Sequence, residues 1–252
     1  MDRNHCPVCS GIGVQLGQEH AHKPDIATRN IRDLMRYRAS LVRMRTGVKN
    51  RIHALLTRLN VKNAYSDLFG KAGRRYLKRL ELSPLHRESL DGYLRLVDYL
   101  NSEMKRAEAQ VAEAFRGSHE AQLLATIPGV GPVLALTIAS EIDDIDRFHS
   151  AKHVSSYAGL VPSTSQSGAH AWHGKITKQG SAWLRWALIE AVIHAVRYQS
   201  PIKDSYARLK KRKGNKIARV AAARKLCTYI YHMLKEDKDY ESVIRYLKSD
   251  LG

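Results

Sequence analysis

From Ile31 onward, apolar residues recur every seven positions at Leu34, Leu41, Val48 and Leu55, flanked by Met35, Val42 and Leu56. That spacing predicts a long helix with one narrow apolar seam, the pattern of helices that pair in a coiled coil. A turn region follows between Asn60 and Gly73, and Ser83-Pro84 marks a second helix start. Leu90, Tyr93, Val97, Leu100, Met104, Ala107, Val111 and Ala114 then alternate spacings of three and four. The two long helices are therefore expected to form an antiparallel hairpin that ends at Gly117-Ser118. Beyond it the stretch 121–180 is punctuated by Gly, Pro and Ser, and composition there reads as loop around short helices. A further amphipathic helix carries Leu184, Ala187, Leu188, Ala191, Val192 and Ala195 on one face and is closed by Pro201. Leu226 to Leu234 reads as another helix running into a mixed-charge tail. The expected division is a leader over 1–24 without structure, a basic coiled-coil helical region over 25–120, a second domain over 121–235 and a tail over 236–252. The fold class is all-α.

Charge changes this picture from a helical scaffold to a polyanion binder. The 252 residues hold 42 Lys and Arg against 24 Asp and Glu, a formal net charge of +18. Hydrophobic residues at 44% nevertheless imply a folded body rather than a basic disordered tail. The excess is local. The first long helix sets Arg32, Arg36, Arg38, Arg43, Arg45, Lys49, Arg51 and Arg58 against Asp33 alone, and Lys203 to Lys225 adds ten basic residues to one acid. A second cluster follows the turn at Lys71, Arg74, Arg75, Lys78 and Arg79. A solvated helix face would be closer to charge balance, so these surfaces point to nucleic acid. Arg43, Arg45, Lys49 and Arg51 on the first helix, and Lys211 and Arg212 in the later run, are the candidate contacts. Three cysteines in so long a chain suit free thiols in a reducing compartment. The longest uncharged apolar stretch, Ile127 to Ser140, is too short and too broken to span a membrane, so the expected location is cytoplasmic.

Several stretches invite chemistry. Leu123 to Ala135 places the Gly129-Val130-Gly131 turn between two helices, the second opening with Pro132. This looks like a helix-hairpin-helix, whose glycines let backbone N–H groups approach a phosphate; the bland alternative is a tight turn between packed helices. The polar stretch Tyr157 to Gly168 holds a Ser167-Gly168 pair, with Lys175 and Lys178 downstream as cations for a phosphodiester's developing charge. By spacing alone this is a flexible polar loop. Cys6, Cys9, His20 and His22 offer four zinc ligands in a weak pattern, against an unstructured end. Cys227 reads as a small core residue, Trp183 and Trp186 as core packing, and Trp172 as a base-stacking candidate. Asp143, Asp144 and Asp146 read as a solvated turn rather than a metal site.

Taken in order, several of these pieces resemble one family. They are Arg36-Tyr37-Arg38-Ala39-Ser40-Leu41-Val42-Arg43 running into Lys49 to Leu56, then Ile127-Pro128-Gly129-Val130-Gly131-Pro132, then Phe148 through Tyr157-Ala158-Gly159-Leu160-Val161-Pro162, then Gln166-Ser167-Gly168 and Lys175 to Gly180. The chain is similar over residues 25 to 235 to the bridge-RNA-guided insertion-sequence transposases, DEDD recombinases related to the Piv-type DNA invertases. The resemblance implies DNA transposition by site-specific recombination, with a helical transposase domain after the coiled coil. It implies that Ser167 is the nucleophile that links covalently to DNA. It further implies DNA and guide RNA as partners and self-association through the coiled coil. In that family a RuvC-like domain with four metal-binding acids precedes the coiled coil, whereas only the short leader stands before Pro24 here. The chain is therefore read as an N-terminally truncated member that does not recombine DNA unaided, with divalent metal (Mg) expected for the full-length family and no cofactor for this chain. The alternative is a non-catalytic nucleic-acid-binding remnant.

Overall fold

A computed structural model describes residues 23–62, 65–167 and 170–249. The leader's zinc candidates Cys6, Cys9, His20 and His22 lie outside the described residues. Two 33-residue helices, α1 (Ile26–Arg58) and α3 (Pro84–Arg116), form the hairpin. Asp25 starts α1 by accepting from the Thr28 N–H at 2.6 Å, and Pro84 sits in the first turn of α3, where a missing N–H costs nothing. The register is antiparallel: Arg38 pairs with Glu108 at 3.3 Å, and seven residues further up α1 Arg45 donates to Asn101 at 3.1 Å, seven residues back down α3. Leu41, Val48, Ile52 and Leu55 of α1 are buried with Leu90, Leu94, Val97, Leu100 and Met104 of α3.

The seam read as a contact between protomers is thus filled from within the chain. Its physical reason is that α3 repeats the same spacing with the length needed to cover it. The turn region also contains an unforeseen helix, α2 (Lys71–Arg79), which seats Leu77 and Gly73 on the closed end of the hairpin together with Leu68.

The remaining elements gather around a second core. These are α4 (His119–Leu124), α5 (Pro132–Ile142), a 3-10 turn (Ile145–Arg147), α6 (Ala151–Tyr157), strands β1 (Pro162–Ser167) and β2 (His170–Ile176), α7 (Ala182–Ala195), α8 (Pro201–Glu236) and α9 (Tyr240–Ser249). At the centre, α5 packs on α1, α3, α4 and α7. Ala135, Leu136, Ile138 and Ile142 lie at or near zero exposure.

Three expectations are corrected here. The polar stretch after Pro162 is an antiparallel β-hairpin rather than loop, because Pro162 to Ser167 and His170 to Ile176 satisfy each other's backbone groups in a two-stranded ladder. Pro201 opens a helix rather than closing one, since α7 already ends at Ala195, and the basic run belongs to that 36-residue helix α8, bent at Gly214. The segment after residue 236 includes α9, whose Tyr240 and Val243 are buried in the second core.

Candidate functional site: a braced β-hairpin flanked by cations

The hairpin bearing Ser167 rises from two backbone segments pressed together. Lys178 N–H donates to Gly159 O at 3.2 Å, Thr177 N–H to Val161 O at 2.9 Å, and Ser181 N–H to Tyr157 O at 2.8 Å. The fit depends on glycine. Gly180 has φ of 106°, and a Cβ there would stand 2.1 Å from Tyr157 O. A Cβ on Gly159 would stand 2.5 Å from Gln179 O. Side chains at either position would push the two segments apart. Arg185, one turn into α7, closes the clamp by donating from Nη1 to Ala158 O at 3.0 Å and Lys178 O at 3.1 Å. From this base the strands pair as Thr164 with His173, Ser165 with Trp172, Gln166 with Ala171 and Ser167 with His170, past an irregularity between Pro162 and Thr164. Ser167 therefore stands at the end of the ladder farthest from the clamp.

Beneath the clamp lies a carboxylate that the sequence reading passed over. Glu141 sits near the end of the apolar helix α5 and is only 6% exposed. Its Oε2 accepts from the Ser181 hydroxyl at 2.8 Å and its Oε1 from Arg36 Nη2 at 3.0 Å. Ser181 Oγ in turn caps α7 by accepting from Leu184 N–H at 3.1 Å. A buried carboxylate needs such partners to offset its lost hydration. The same junction is sewn by Arg32, donating to Ser140 O at 2.7 Å, and by Arg147, donating to Ile142 O at 3.0 Å. These guanidinium groups satisfy the last carbonyls of α5. One strut thus joins the hairpin helix α1, the central helix α5 and the base of the Ser167 strands.

The structure sorts the predicted binding residues. Arg43 and Arg51 are exposed on α1, but Arg45 is engaged with Asn101 and Lys49 lies 4.6 Å from the centre of the Phe69 ring. Lys175 and Lys178 are exposed at the base of the strands, the latter with a positive φ of 57°. Lys211 and Arg212 are exposed just before the bend at Gly214, which Tyr206 spans by donating its hydroxyl to Asn215 Oδ1 at 2.6 Å. Within the same run Lys225 is structural: it staples Pro201 O at 3.2 Å and Ser205 Oγ at 2.8 Å, and burial lowers its pKa from the usual value.

The two glycines of the expected helix-hairpin-helix differ. Gly129 has φ of 84°, and a Cβ there would stand 2.8 Å from His194 Cβ, so packing on α7 already requires glycine. Gly131 caps α5 with open space around it.

Other readings are settled locally. Cys227 is fully buried, and burial pushes its thiol up to about 12, the state of an inert core residue. Trp186, expected in the core, is 45% exposed. Its ring sits edge-on to Trp183, which Arg36 approaches at 5.9 Å, because the core-facing stripe of α7 is filled by Leu184, Ala187, Leu188, Ala191 and Val192. Asp143 accepts from Thr28 Oγ1 at 2.9 Å, Asp144 caps the 3-10 turn, and Asp146 pairs with Lys235 at 2.5 Å. Of the described residues, no group of three or more His, Cys, Asp or Glu is placed to hold a metal ion. No described helix is long and apolar enough to cross a membrane.

Comparison with known proteins bears on the same segments. Residues 121–207, which run from within α4 through α5, the clamp, the Ser167 strands and α7, match the family described as Transposase IS116/IS110/IS902. The chain is 26% identical over 253 residues to the transposase for insertion sequence element IS1111A of Coxiella burnetii, covering 95% of this chain and 68% of that protein. It is 27% identical to a probable family 20 transposase of Pseudomonas aeruginosa, covering 83% of this chain and 64% of that one. The pilin gene-inverting protein of Moraxella bovis is 33% identical over 130 residues, half of this chain and 40% of its own length. The matched segment and relatives of this kind make the chain similar to the IS116/IS110/IS902 insertion-sequence transposases, most directly across the part that carries the Ser167 strands.

Proposed function

We propose that this chain supplies the DNA-binding and strand-joining part of a transposase, holding a phosphodiester against Ser167 while its cationic surfaces grip the flanking backbone. The observation that carries this reading is the brace: a two-stranded ladder ending at Ser167, its base fixed by Gly159, Gly180, Arg185 and the Glu141–Ser181 contact. Nucleophilic attack demands an oriented strand, and the brace fixes the base of the one that carries Ser167. In the step proposed, the Ser167 Oγ–P bond forms as one P–O ester bond of DNA breaks. The hydroxyl proton is lost and the leaving oxygen gains one. Ester is exchanged for ester, so no external energy source is required. Lys175 and Lys178 stand at the strand base, away from Ser167, and belong to the cationic surfaces that grip the flanking backbone rather than to the reacting phosphoryl group.

Divalent metal, implied for the full-length family, does not fit a donor set among the described residues, so no step is routed through a metal held by this chain. That observation keeps a second reading open, in which the chain binds nucleic acid without reacting. Guide RNA is part of the proposal on the strength of the family resemblance. For self-association we propose the outward face of α3, where Leu85, Leu96 and Tyr99 remain exposed after the seam is filled from within. Light scattering on Leu96→Asp/Tyr99→Asp checks it, a lower mass than the parent chain being the expected result.

The deciding experiment mixes the full chain with labelled DNA, Mg and guide RNA, with and without a complete family member in trans, and resolves covalent adducts on denaturing gels. No adduct is expected from the chain alone. An adduct gained in trans should vanish in Ser167→Ala while DNA binding survives. An adduct on this chain that persists in Ser167→Ala would assign the nucleophile elsewhere, and no adduct under any condition would favour the binding reading.

A further inference from the structure

The closed end of the α1–α3 hairpin carries a cationic surface far from the Ser167 strands. Between Arg43 and Leu80 the sequence holds eleven Lys and Arg and one acid, Asp67. Helix α2 is the organised part of this excess. Its Gly73 packs so closely that a Cβ would stand 2.3 Å from Leu68 O, and Leu77 is fully buried, so one face is committed to the hairpin core. Its far end is held by Arg87 of α3, which donates to the carbonyls of Leu77 and Leu80. Arg74 pairs with Asp98 at 2.7 Å, and the Tyr76 hydroxyl donates to Lys62 O at 3.0 Å. A helix of nine residues is thus fixed in place by four separate attachments.

What α2 holds out is charge without partners. Arg75, Lys78 and Arg79 have no ion pair with any described carboxylate, and Arg95 across the groove has none either. Between α2 and α3 runs an open groove of about 590 Å³, lined by Arg74, Arg75, Lys78, Arg87 and Arg95 against Asp91 and Asp98. Both carboxylates are already engaged, Asp98 by Arg74 and Asp91 by Arg87 at 3.6 Å. Net positive charge in a groove between rigid walls suits a ribose-phosphate or deoxyribose-phosphate backbone.

Its position separates it from the Ser167 end. At 1.5 Å per residue, Asp98 and Arg87 lie roughly 27 and 44 Å along α3 from its end at Arg116, where the chain enters the second core. That is about 8 to 13 base pairs of duplex, beyond the reach of Lys175 or Lys178.

We infer that the α2–α3 groove is a second, remote docking site for the phosphate backbone of a nucleic-acid duplex, engaged by Arg75, Lys78 and Arg95. The inference rests on the nucleic-acid reading of the chain and extends it to a surface outside the matched residues 121–207. The test is fluorescence anisotropy on the full chain with 30-base-pair duplexes of DNA and of RNA, titrated across a salt series. The variant is Arg75→Gln/Lys78→Gln/Arg95→Gln, three exposed positions whose neutralisation leaves the core untouched. If three phosphate contacts are lost, the slope of log affinity against log salt should fall by about 2 to 3 for DNA, with tenfold or greater weakening at low salt. A control, Lys211→Gln/Arg212→Gln, should lower the slope separately, and the two losses should add.

A parental slope retained by the groove variant on both duplexes overturns the groove while sparing the proposed function. A parent chain that binds neither duplex overturns both. Loss on one duplex only identifies which backbone the groove accepts. Circular dichroism shows whether the variant is folded; should helicity fall, Arg75→Gln/Lys78→Gln alone carries the same test at a slope change of about 2.

Discussion

The hairpin and the second core solve the same packing problem in opposite ways. In the hairpin each long helix buries one narrow stripe and leaves the rest to solvent, so Leu41, Val48, Ile52 and Leu55 face α3 while Arg43, Arg51 and Arg58 point out. In the second core α5 is buried nearly all round, with Glu141 among its buried residues. A stripe leaves room for a large cationic surface, whereas an enveloped helix leaves almost none. The broad cationic face of α1 and the enveloped helix that underlies the Ser167 strands therefore lie in different parts of one chain, joined where Arg32 and Arg36 meet the end of α5.

The largest effect is expected where the hairpin depends on its seam. Leu41→Asp/Val48→Asp buries two charges against α3 and should unfold the hairpin, costing well over about 4 kcal/mol. Denaturant unfolding followed by circular dichroism would show it. A change only in molecular mass, with helicity intact, would mean that the seam joins protomers after all.

In the second core, Leu136→Ala should cost about 2 to 5 kcal/mol through the cavity it leaves, while the hairpin helices persist if the two cores are energetically separable. Hydrogen exchange, resolved by segment, distinguishes separate from joint loss.

At the junction, Glu141→Gln removes the charge that Arg36 and Ser181 share. It should cost about 2 kcal/mol in denaturant titration and loosen the Ser167 strands, read as faster exchange at Lys178 and Ser181 amides. Unchanged exchange there would show that the strut supports only α1 and α5.

Gly129 and Gly131 give a finer contrast. Gly129→Ala meets both a positive φ and the His194 side chain and should destabilise by about 2 kcal/mol or more. Gly131→Ala, in open space, should stay within about 1 kcal/mol in thermal unfolding. If it nevertheless weakens DNA binding, the phosphate-approach role falls to Gly131 alone.

The smallest effect concerns pH. Asp237 accepts from or pairs with His119 at 2.5 Å and raises its pKa above the usual 6.5, chiefly through the hydrogen bond. A raised folded-state value means that the pair's contribution is full below about pH 6.5 and is lost as pH rises through the folded pKa. Both side chains are exposed, so NMR titration of the His119 ring rather than a stability curve is the measurement, with a midpoint above 6.5 expected.

The contrast between the halves also explains what could be read from sequence. The seven-residue repeat of α1 and the three-four alternation of α3 announced the hairpin because each helix faces one neighbour. Helix α2 was missed because its core contribution is only Gly73 and Leu77, too few to set a period. The β-hairpin was missed because Ser, Thr, Gln and Gly give no apolar alternation; the ladder is held by backbone bonds and by the clamp at its base. At the site, the Gly159 and Gly180 motifs were visible as motifs, but their reason, two backbones in contact, was not. Glu141, Arg36 and Ser181 are separated by 105 and 40 residues, and no local pattern joins them.

The junction has a mechanical consequence. From Arg36, fixed at Glu141, to Arg58 at the closed end is 22 residues of continuous helix, an arm of about 33 Å. Toward its start the helix extends only eight residues, about 12 Å, to Thr28 on Asp143. Treated as a lever on that fulcrum, a tilt of about 10° would sweep the closed end by about 6 Å and shift the Thr28 end by about 2 Å in the opposite sense, given this helix geometry. Displacement at the distant end is thereby geared down nearly threefold, and force geared up in proportion, before it reaches the helix on which the Ser181 hydroxyl rests.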